Sequence, residues 1–465
     1  MKRPVFEHCP LLIPALCLAI GIALGDHIPH GVPMLPVLLA AIAVTLLAGR
    51  WPLVQSLGVS LCFTLLGMTI ASKDDERLAD GVWTEAVVAS PPTEKPKTMM
   101  ADLLLPSTGE RRRCFIWKDE RSQGLDVGDN LLVCIRDSQF ISRDSWHPGG
   151  DGFSHLSNIQ RLRLRALQWR STLVQRIISP DDDSDAQAVL AAMVLGDKSE
   201  LSKELRATYS ATGASHILAL SGLHLGIIYL LLTQLTLGRR RLWLTQVPVV
   251  LGIWAFALIT GLSTSVVRAA MMISLYAVFS LGGRRQSPLG VLSFTAIIML
   301  LFNSDSLYDI GFQLSFMAML GILIFVPLFE RMVSIRWLME HRVVKWLMAM
   351  MTMSVAAQLT TAPLVAYHFG RFSTYFLLTN LLAIPIATLI LYVAVATLIV
   401  PAVAGVLGWL AGVLNAVLGW VSGLPLASIE GLHPSLLQVA MMYLLEAVFF
   451  LILWRYGPRD RSRRV

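Results

Sequence analysis

The sequence predicts a polytopic α-helical membrane protein of about twelve spans, some of them broken or re-entrant, carrying a small extracytoplasmic β-barrel (OB-like) domain. Three observations lead there. The 465 residues are 55% hydrophobic and only 15% charged, against roughly a quarter charged in a soluble domain. The apolar residues gather in runs of near membrane-spanning length, separated by short polar connections. One stretch, 73–150, replaces that pattern with short alternating runs and turn residues.

Residues 1–72 hold three apolar runs, at about 10–26, 33–49 and 52–71. Met1-Lys2-Arg3 before the first run resembles a signal peptide. The run ends at Gly25-Asp26 without a small-residue cleavage site, so it reads as an uncleaved span. Lys2, Arg3 and Arg50 mark cytoplasmic ends. Three crossings then place 73–150 outside. There Trp83–Ser90, Thr98–Leu105, Arg112–Trp117 and Asn130–Arg136 read as strands, separated by Pro- and Gly-containing turns. Their number and length suit a small barrel. Cys114 and Cys134 sit on two of these strands, where an extracytoplasmic disulfide or two buried thiols both fit. Cys9, Cys17 and Cys62 read as small core residues. No cysteine or histidine cluster has metal-ligand spacing, so no metal or other cofactor is expected.

Residues 151–212 link the two regions. The segment 155–178 reads as a basic amphipathic helix, with Ile159, Leu162, Ala166, Trp169, Leu173 and Ile177 on one side. Arg161, Arg163, Arg165, Arg170 and Arg176 project elsewhere. Such a helix lies on a membrane or faces a polyanion, or packs on the bundle with a solvated basic face. Asp181–Asp185 precede a short helix at 186–195, Gly196-Asp197-Lys198 breaks it, and 203–212 forms another.

Residues 213–465 are membrane throughout, with spans near 216–237, 242–260, 264–281, 288–302, 310–329, 346–366, 375–399, 402–422 and 437–454. Counted from an outside start, the basic connections at 239–241, 284–285, 331–345 and 455–464 all fall inside, and both termini are cytoplasmic. The first of these spans is unusual. Ser221 and His224 are three apart on one helical face, and His216 lies about 80° away. Polar groups in a membrane helix face protein or a wet cavity. A packed helix with two hydrogen-bonded histidines fits the same residues. Gly222 and Gly226 form a Gly-x-x-x-Gly face for close helix packing. Pro363 and Pro385 suggest broken helices around a cavity.

Five motifs follow one another. They are Ala191–Lys198, ending Leu-Gly-Asp-Lys; Thr212-Gly-Ala-Ser-His-Ile-Leu-Ala-Leu-Ser-Gly-Leu-His224; Gly261-Leu-Ser-Thr-Ser-Val-Val-Arg-Ala269; Gly311-Phe-Gln-Leu-Ser-Phe316; and His368-Phe-Gly-Arg-Phe-Ser373 with Pro363, Asn380 and Pro385. In this order they resemble the ComEC competence family, the inner-membrane DNA uptake channels of natural transformation. The resemblance covers most of the chain. It implies passage of single-stranded DNA across the inner membrane, together with a periplasmic DNA receptor, a cytoplasmic DNA-translocating ATPase, membrane lipids and a possible separate nuclease. Many family members carry a C-terminal metallo-β-lactamase-like domain. The His-x-His-x-Asp-His signature of that domain is absent here, and so is an ATP-binding loop. The expectation is a path without motor or nuclease, and no enzyme.

On that reading Lys198, His216, Ser221, His224, Arg268, Gln313, Arg371 and Asn380 line or gate the DNA path, because the membrane would otherwise reject them. Capping, snorkelling and interhelical hydrogen bonding explain the same residues. An OB-like domain would bind single strands through Trp83, Arg111, Arg112, Arg113, Phe115, Trp117 and Lys118. A strand edge guarded by charge also fits these residues. Two further functions stay open: transport or flipping of another polyanion or lipid-linked substrate, and intramembrane hydrolysis with Ser221 as nucleophile and His224 as base.

Overall fold

The structure is a computed structural model that describes residues 9–27, 34–47, 51–71, 83–106, 111–134, 140–149, 158–177, 183–235, 243–281, 287–332, 341–397 and 400–456. The basic connections 239–241 and 284–285, most of 331–345 and the tail beyond 456 lie outside the described residues. Helices α1 (Leu12–Gly25), α2 (Met34–Leu47) and α3 (Pro52–Ala71) form where the first three apolar runs lie.

A mixed sheet follows: β1 (Trp83–Val88), β2 (Thr93–Glu94), β3 (Thr98–Leu104), β4 (Arg111–Trp117), β5 (Asn130–Cys134), β6 (Phe140–Ile141) and β7 (Trp146–Pro148), with one helical turn, α4 (Glu120–Gln123), after β4. The order is β6-β4-β3-β1-β5-β7, with β2 added to β3 and only the β4–β6 pair parallel. Among the described residues no β6–β7 pair closes this path into a barrel. Alternation sends Ala86, Leu103, Ile116, Val133 and Trp146 to a buried face. Val87 and Leu104 point the other way and pack on Leu164 and Leu167 of a helix below.

The strand order rules out the Cys114–Cys134 bridge. β3 and β1 stand between β4 and β5, giving three strand spacings of about 4.8 Å each, well beyond the roughly 7 Å Cα limit of a disulfide. Both residues are thiols.

Among the described residues further helices follow, in places close to those the hydropathy marks: α5 (Asn158–Ile177), α6 (Ser184–Leu190) running into a π-helical turn at Ala191–Leu195, α7 (Lys203–Ala211), α8 (Ser215–Leu218), α9 (Gly222–Leu235), α10 (Trp243–Ile259), α11 (Thr264–Leu281), α12 (Pro288–Phe302), α13 (Ile310–Met332), α14 (Arg342–Phe369), α15 (Phe376–Thr397) and α16 (Ala404–Ser422). The last described helix is α17 (Leu436–Tyr456). A two-stranded ribbon, β8 (Arg371–Ser373) with β9 (Ser428–Glu430), ties the α14–α15 connection to the α16–α17 connection. Among the described residues six helices are long and apolar enough to cross a membrane: α3, α13, α14, α15, α17 and α16 with its preceding turn. The apolar helices α1, α2 and α9–α12 are shorter. Large apolar side chains stay uncovered on α17, where Leu437 is 71% and Leu444 65% exposed. That suits lipid rather than water.

Two expectations about α5 and α9 need correction. On α5, Leu162 and Trp169 are exposed, whereas Leu164, Leu167 and Arg170 are buried. The helix wedges between sheet and bundle, so its inward face is chosen by partners for arginine as well as by apolar contact. On α9, the Gly-x-x-x-Gly face is not a tight helix contact. Nothing lies within 4 Å of where a Gly226 side chain would start, and Gly222 leaves ordinary contact room beside Ala269.

Close approaches occur instead at other glycines: Gly21 of α1 and Gly67 of α3 lie against each other's helix backbones, and at Gly321 of α13 a Cβ would run into the Ala356 carbonyl and Thr360 of α14. Thr360 Oγ1 uses that proximity to donate to Met317 O at 2.7 Å. Gly321→Val should cost about 1–3 kcal/mol by overpacking, read as a lowered thermal unfolding midpoint in detergent. Gly226→Ala should leave that midpoint unchanged or slightly raised. Thiol counting after denaturation without reductant should find all five cysteines reactive.

Candidate functional site

The helix predicted across 216–237 is broken. α8 ends after one turn at Leu218, Ala219 is extended (φ −89°, ψ 128°), and α9 restarts at Gly222. His216 and His224 therefore do not share one helix. The break is stabilised at the start of α9. Ser221 N–H donates to His224 Nδ1 at 3.2 Å, and Ser221 Oγ lies 3.0 Å from the same nitrogen. A residue three positions on that reaches back to the backbone N–H is the geometry of a capping box, with histidine in the place of glutamine. Because a backbone N–H only donates, Nδ1 is the acceptor and a neutral His224 carries its proton on Nε2. That Nε2 is buried and has no partner among the described residues. His216 donates from Nδ1 to Gly213 O at 3.0 Å, and the residue is exposed.

The second half of the site is Arg268, one turn into α11 and 6% exposed. Its Nη1 donates to Ser315 O of α13, and its guanidinium carbon lies 5.8 Å from the Phe316 ring centre. Its Nε has no partner, and no carboxylate lies within ion-pair distance among the described residues. Gly222 faces this guanidinium across the α9–α11 contact. A Cβ there would have room, so glycine is not required to admit the arginine.

Neighbouring motif residues fasten the same helices. Ser265 Oγ donates to Ser315 Oγ at 3.4 Å, and Thr264 Oγ1 to Asp309 Oδ1 at 3.2 Å. Asp309 also accepts Phe312 N–H at 2.7 Å, capping the start of α13. Gln313 donates to Leu307 O at 2.9 Å and accepts from His368 Nε2 of α14 at 3.0 Å. Gly213, ahead of α8, packs against Ser373 and Phe376. The contacts thus run from 213–224 to 268, to 313–315, to 368–373 and back to 213, a closed ring of four motifs. Ser373 Oγ, Thr379 Oγ1 and Asn380 Oδ1 join His224 Nε2 and Arg268 Nε as buried polar atoms without a protein partner. Burying one such atom costs about 1–3 kcal/mol, more if charged.

Two path candidates fall elsewhere. Arg371 pairs across the ribbon with Glu430 at 3.9 Å, so it serves the β8–β9 connection. Lys198 lies in the turn after the π-helical segment, against the sheet rather than in the ring.

On the sheet, Arg113, Phe115 and Trp117 share the outward face of β4, whereas Arg112 alternates to the other side. Arg111 opens β4 opposite Leu104. Trp83 stacks on His147 at 5.3 Å, at the opposite end of the β3 ladder from Trp117. The proposed stacking residues therefore do not form one platform. Arg113 is paired with Asp102 at 3.0 Å and Lys118 with Glu94. Sequence reading missed Ser315, Asp309 and His368 as ring members, although each lies in or beside a quoted motif. It also missed the inward roles of Arg163, which donates to Gly261 O at 2.8 Å, and Arg170, which pairs with Asp197. Their seven-residue separation on one helical face was the available signal.

The capping role separates stability from any further use of histidine. His224→Gln retains an acceptor for Ser221 N–H and should keep the unfolding midpoint. His224→Ala should lose about 1 kcal/mol, the ordinary value of such a cap.

Comparison with known proteins covers this same region. The model of the "Competence protein" family matches residues 193–456, which contain the whole ring. ComE operon protein 3 of Bacillus subtilis (strain 168) is 26% identical over 251 residues, 52% of this chain and 30% of that protein. An uncharacterized protein of Aquifex aeolicus (strain VF5) is 28% identical over 207 residues, 41% of this chain and 49% of its own. The uncharacterized protein YcaI of Escherichia coli (strain K12) is 24% identical over 213 residues, 44% and 28% of the two chains. In each case the match spans less than half of the relative's length. No solved structure matches. Since the family match takes in more than half of the 465 residues, the chain belongs to the competence protein family.

Proposed function

We propose that the protein conducts single-stranded DNA across the cell inner membrane during natural transformation, with the motif ring lining the path. The observation that carries this reading is Arg268: a buried guanidinium with no counter-ion among the described residues, inside an apolar bundle. An unpaired buried charge is strongly unfavourable, and a passing phosphodiester backbone would supply the missing anion. His224 Nε2–H, exposed His216 and the Asn380 side chain add polar groups of the kind a wet path needs. Competence family membership supports the same cargo.

In this reading the shorter apolar helices join the six long ones to make about twelve crossings. Both termini are then cytoplasmic, and the β domain stands outside as an OB-like receiver of single strands. The protein supplies the route and no catalysis. A periplasmic receptor delivers DNA, a cytoplasmic ATPase pulls it, a separate nuclease removes the other strand, and membrane lipids surround the bundle.

One observation favours a second reading, intramembrane hydrolysis: Ser221 Oγ does reach His224 Nδ1 at 3.0 Å. The single Nδ1 lone pair is shared with Ser221 N–H, and among the described residues no carboxylate orients the ring. Capping accounts for both contacts.

The test is complementation of a strain deleted for this gene. Arg268→Gln at wild-type membrane levels should lower transformation about tenfold or more, the scale of one lost charged hydrogen bond. Arg371→Gln should stay near wild type. Normal transformation by Arg268→Gln would remove the lining role. Labelling of Ser221 by a serine-reactive phosphonate would instead favour the hydrolase.

A further inference from the structure

Apart from the ring, a cavity of about 460 Å³ lies where the sheet meets the linking helices. Arg113 and Asp102 line it from the outward face of the sheet, Arg170 from α5, Asp197 and Lys198 from the α6–α7 connection, and Arg206 from α7. Both carboxylates are engaged: Asp102 by Arg113 at 3.0 Å, and Asp197 by Arg170 at 3.4 Å and by Ser199 Oγ at 2.7 Å. Two carboxylates against four cations leave a surplus of two positive charges. The surplus sits on Lys198, whose Nζ has no partner among the described residues, and on Arg206, which donates only to Lys198 O at 2.7 Å. Arg170 is 5% exposed, and its Nε has no protein partner.

From these positions we infer that the cavity is a docking site for a backbone phosphodiester of single-stranded DNA, at the junction of sheet and bundle. An isolated pair of like charges is unfavourable. Lys198 and Arg206 both line the cavity and both keep solvent access, and an anion between the two would relieve their repulsion. The sheet gives the site its nucleic-acid character. Phe115 and Trp117 follow Arg113 at alternate positions on the same face of β4, and Trp117 and Phe140 stay exposed beside each other. A basic pocket continued by exposed aromatic rings is how single strands are held without sequence preference. The site also adjoins the ring. Gly196 adopts φ +76° and packs against Leu220, just ahead of the Ser221–His224 cap. A strand docked at Lys198 is thus presented to the break between α8 and α9.

The inference rests on DNA being the cargo, and the experiment separates the two. The purified full chain, in phosphatidylcholine nanodiscs, is titrated with a fluorescein-labelled oligothymidylate across a salt series. Lys198→Gln/Arg206→Gln should weaken binding about tenfold at low salt and flatten the log–log salt slope by roughly 1.4, two contacts at about 0.7 each. Lys198→Arg should bind like wild type. Unchanged affinity and slope with an unaltered unfolding midpoint overturns the site. So does undiminished oligonucleotide binding alongside loss of phosphatidylglycerol binding, which gives the cavity to a lipid headgroup. Loss of oligonucleotide binding in the double variant, with full transformation by Arg268→Gln, keeps the docking site and removes the lining role of the ring.

Discussion

A guanidinium inside an apolar bundle must be given acceptors, and Arg268 receives one backbone carbonyl and the face of a phenylalanine. Much of the surrounding architecture follows from holding it there. The carbonyl belongs to Ser315, so α13 must start close to the start of α11. Thr264, Ser265 and Asp309 make that approach, and Asp309 uses the same carboxylate to start α13. Gln313 then reaches His368, which brings in the end of α14. On the other side α9 begins beside Arg268, and its start is fixed by a histidine-closed cap. Each motif is short and polar because it works at a helix end, where backbone groups lack partners of their own.

The break at 219–221 is the clearest case of a membrane rule with an exception. A lipid-facing helix cannot interrupt its hydrogen bonds, since nothing replaces them. Here the interruption lies within protein. Ser221 N–H is capped by His224, and Ala219 N–H bonds back to Ser215 O at 3.2 Å. The result separates the two histidines. His224 is buried and serves the backbone on one edge, whereas His216 is exposed.

The sheet and the bundle are joined through α5, and arginine does much of the joining. Arg163 closes on the carbonyl of Gly261 at the α10–α11 turn, and Arg170 closes on Asp197. Burial pulls the Arg170 guanidinium below the usual arginine range, and the Asp197 charge opposes that pull. A helix packed on two sides by different partners does not follow a single apolar stripe. This is why Leu162 and Trp169 lie outside while two arginines lie inside.

Helix positions were legible in the sequence to within a few residues. Apolar runs of sufficient length have few alternatives, and proline, glycine and charge mark their ends. Four of the strands were legible for the same reason, through alternation and turn residues. The sequence also marked Arg268, His224 and Gln313, because polar groups in apolar runs stand out. It could not show pairing. Whether Cys114 meets Cys134 depends on strand order, which loops outside the strands decide. Whether Gly226 or Gly321 is the close contact depends on which helix lies opposite, and both look alike in one dimension. Lys198 and Arg371 carry the same charge in equally polar turns, yet one lines a basic cavity and the other pairs with Glu430. Local chemistry is written residue by residue, whereas a partner is set by which distant segment the fold brings near, and that only the tertiary structure decided.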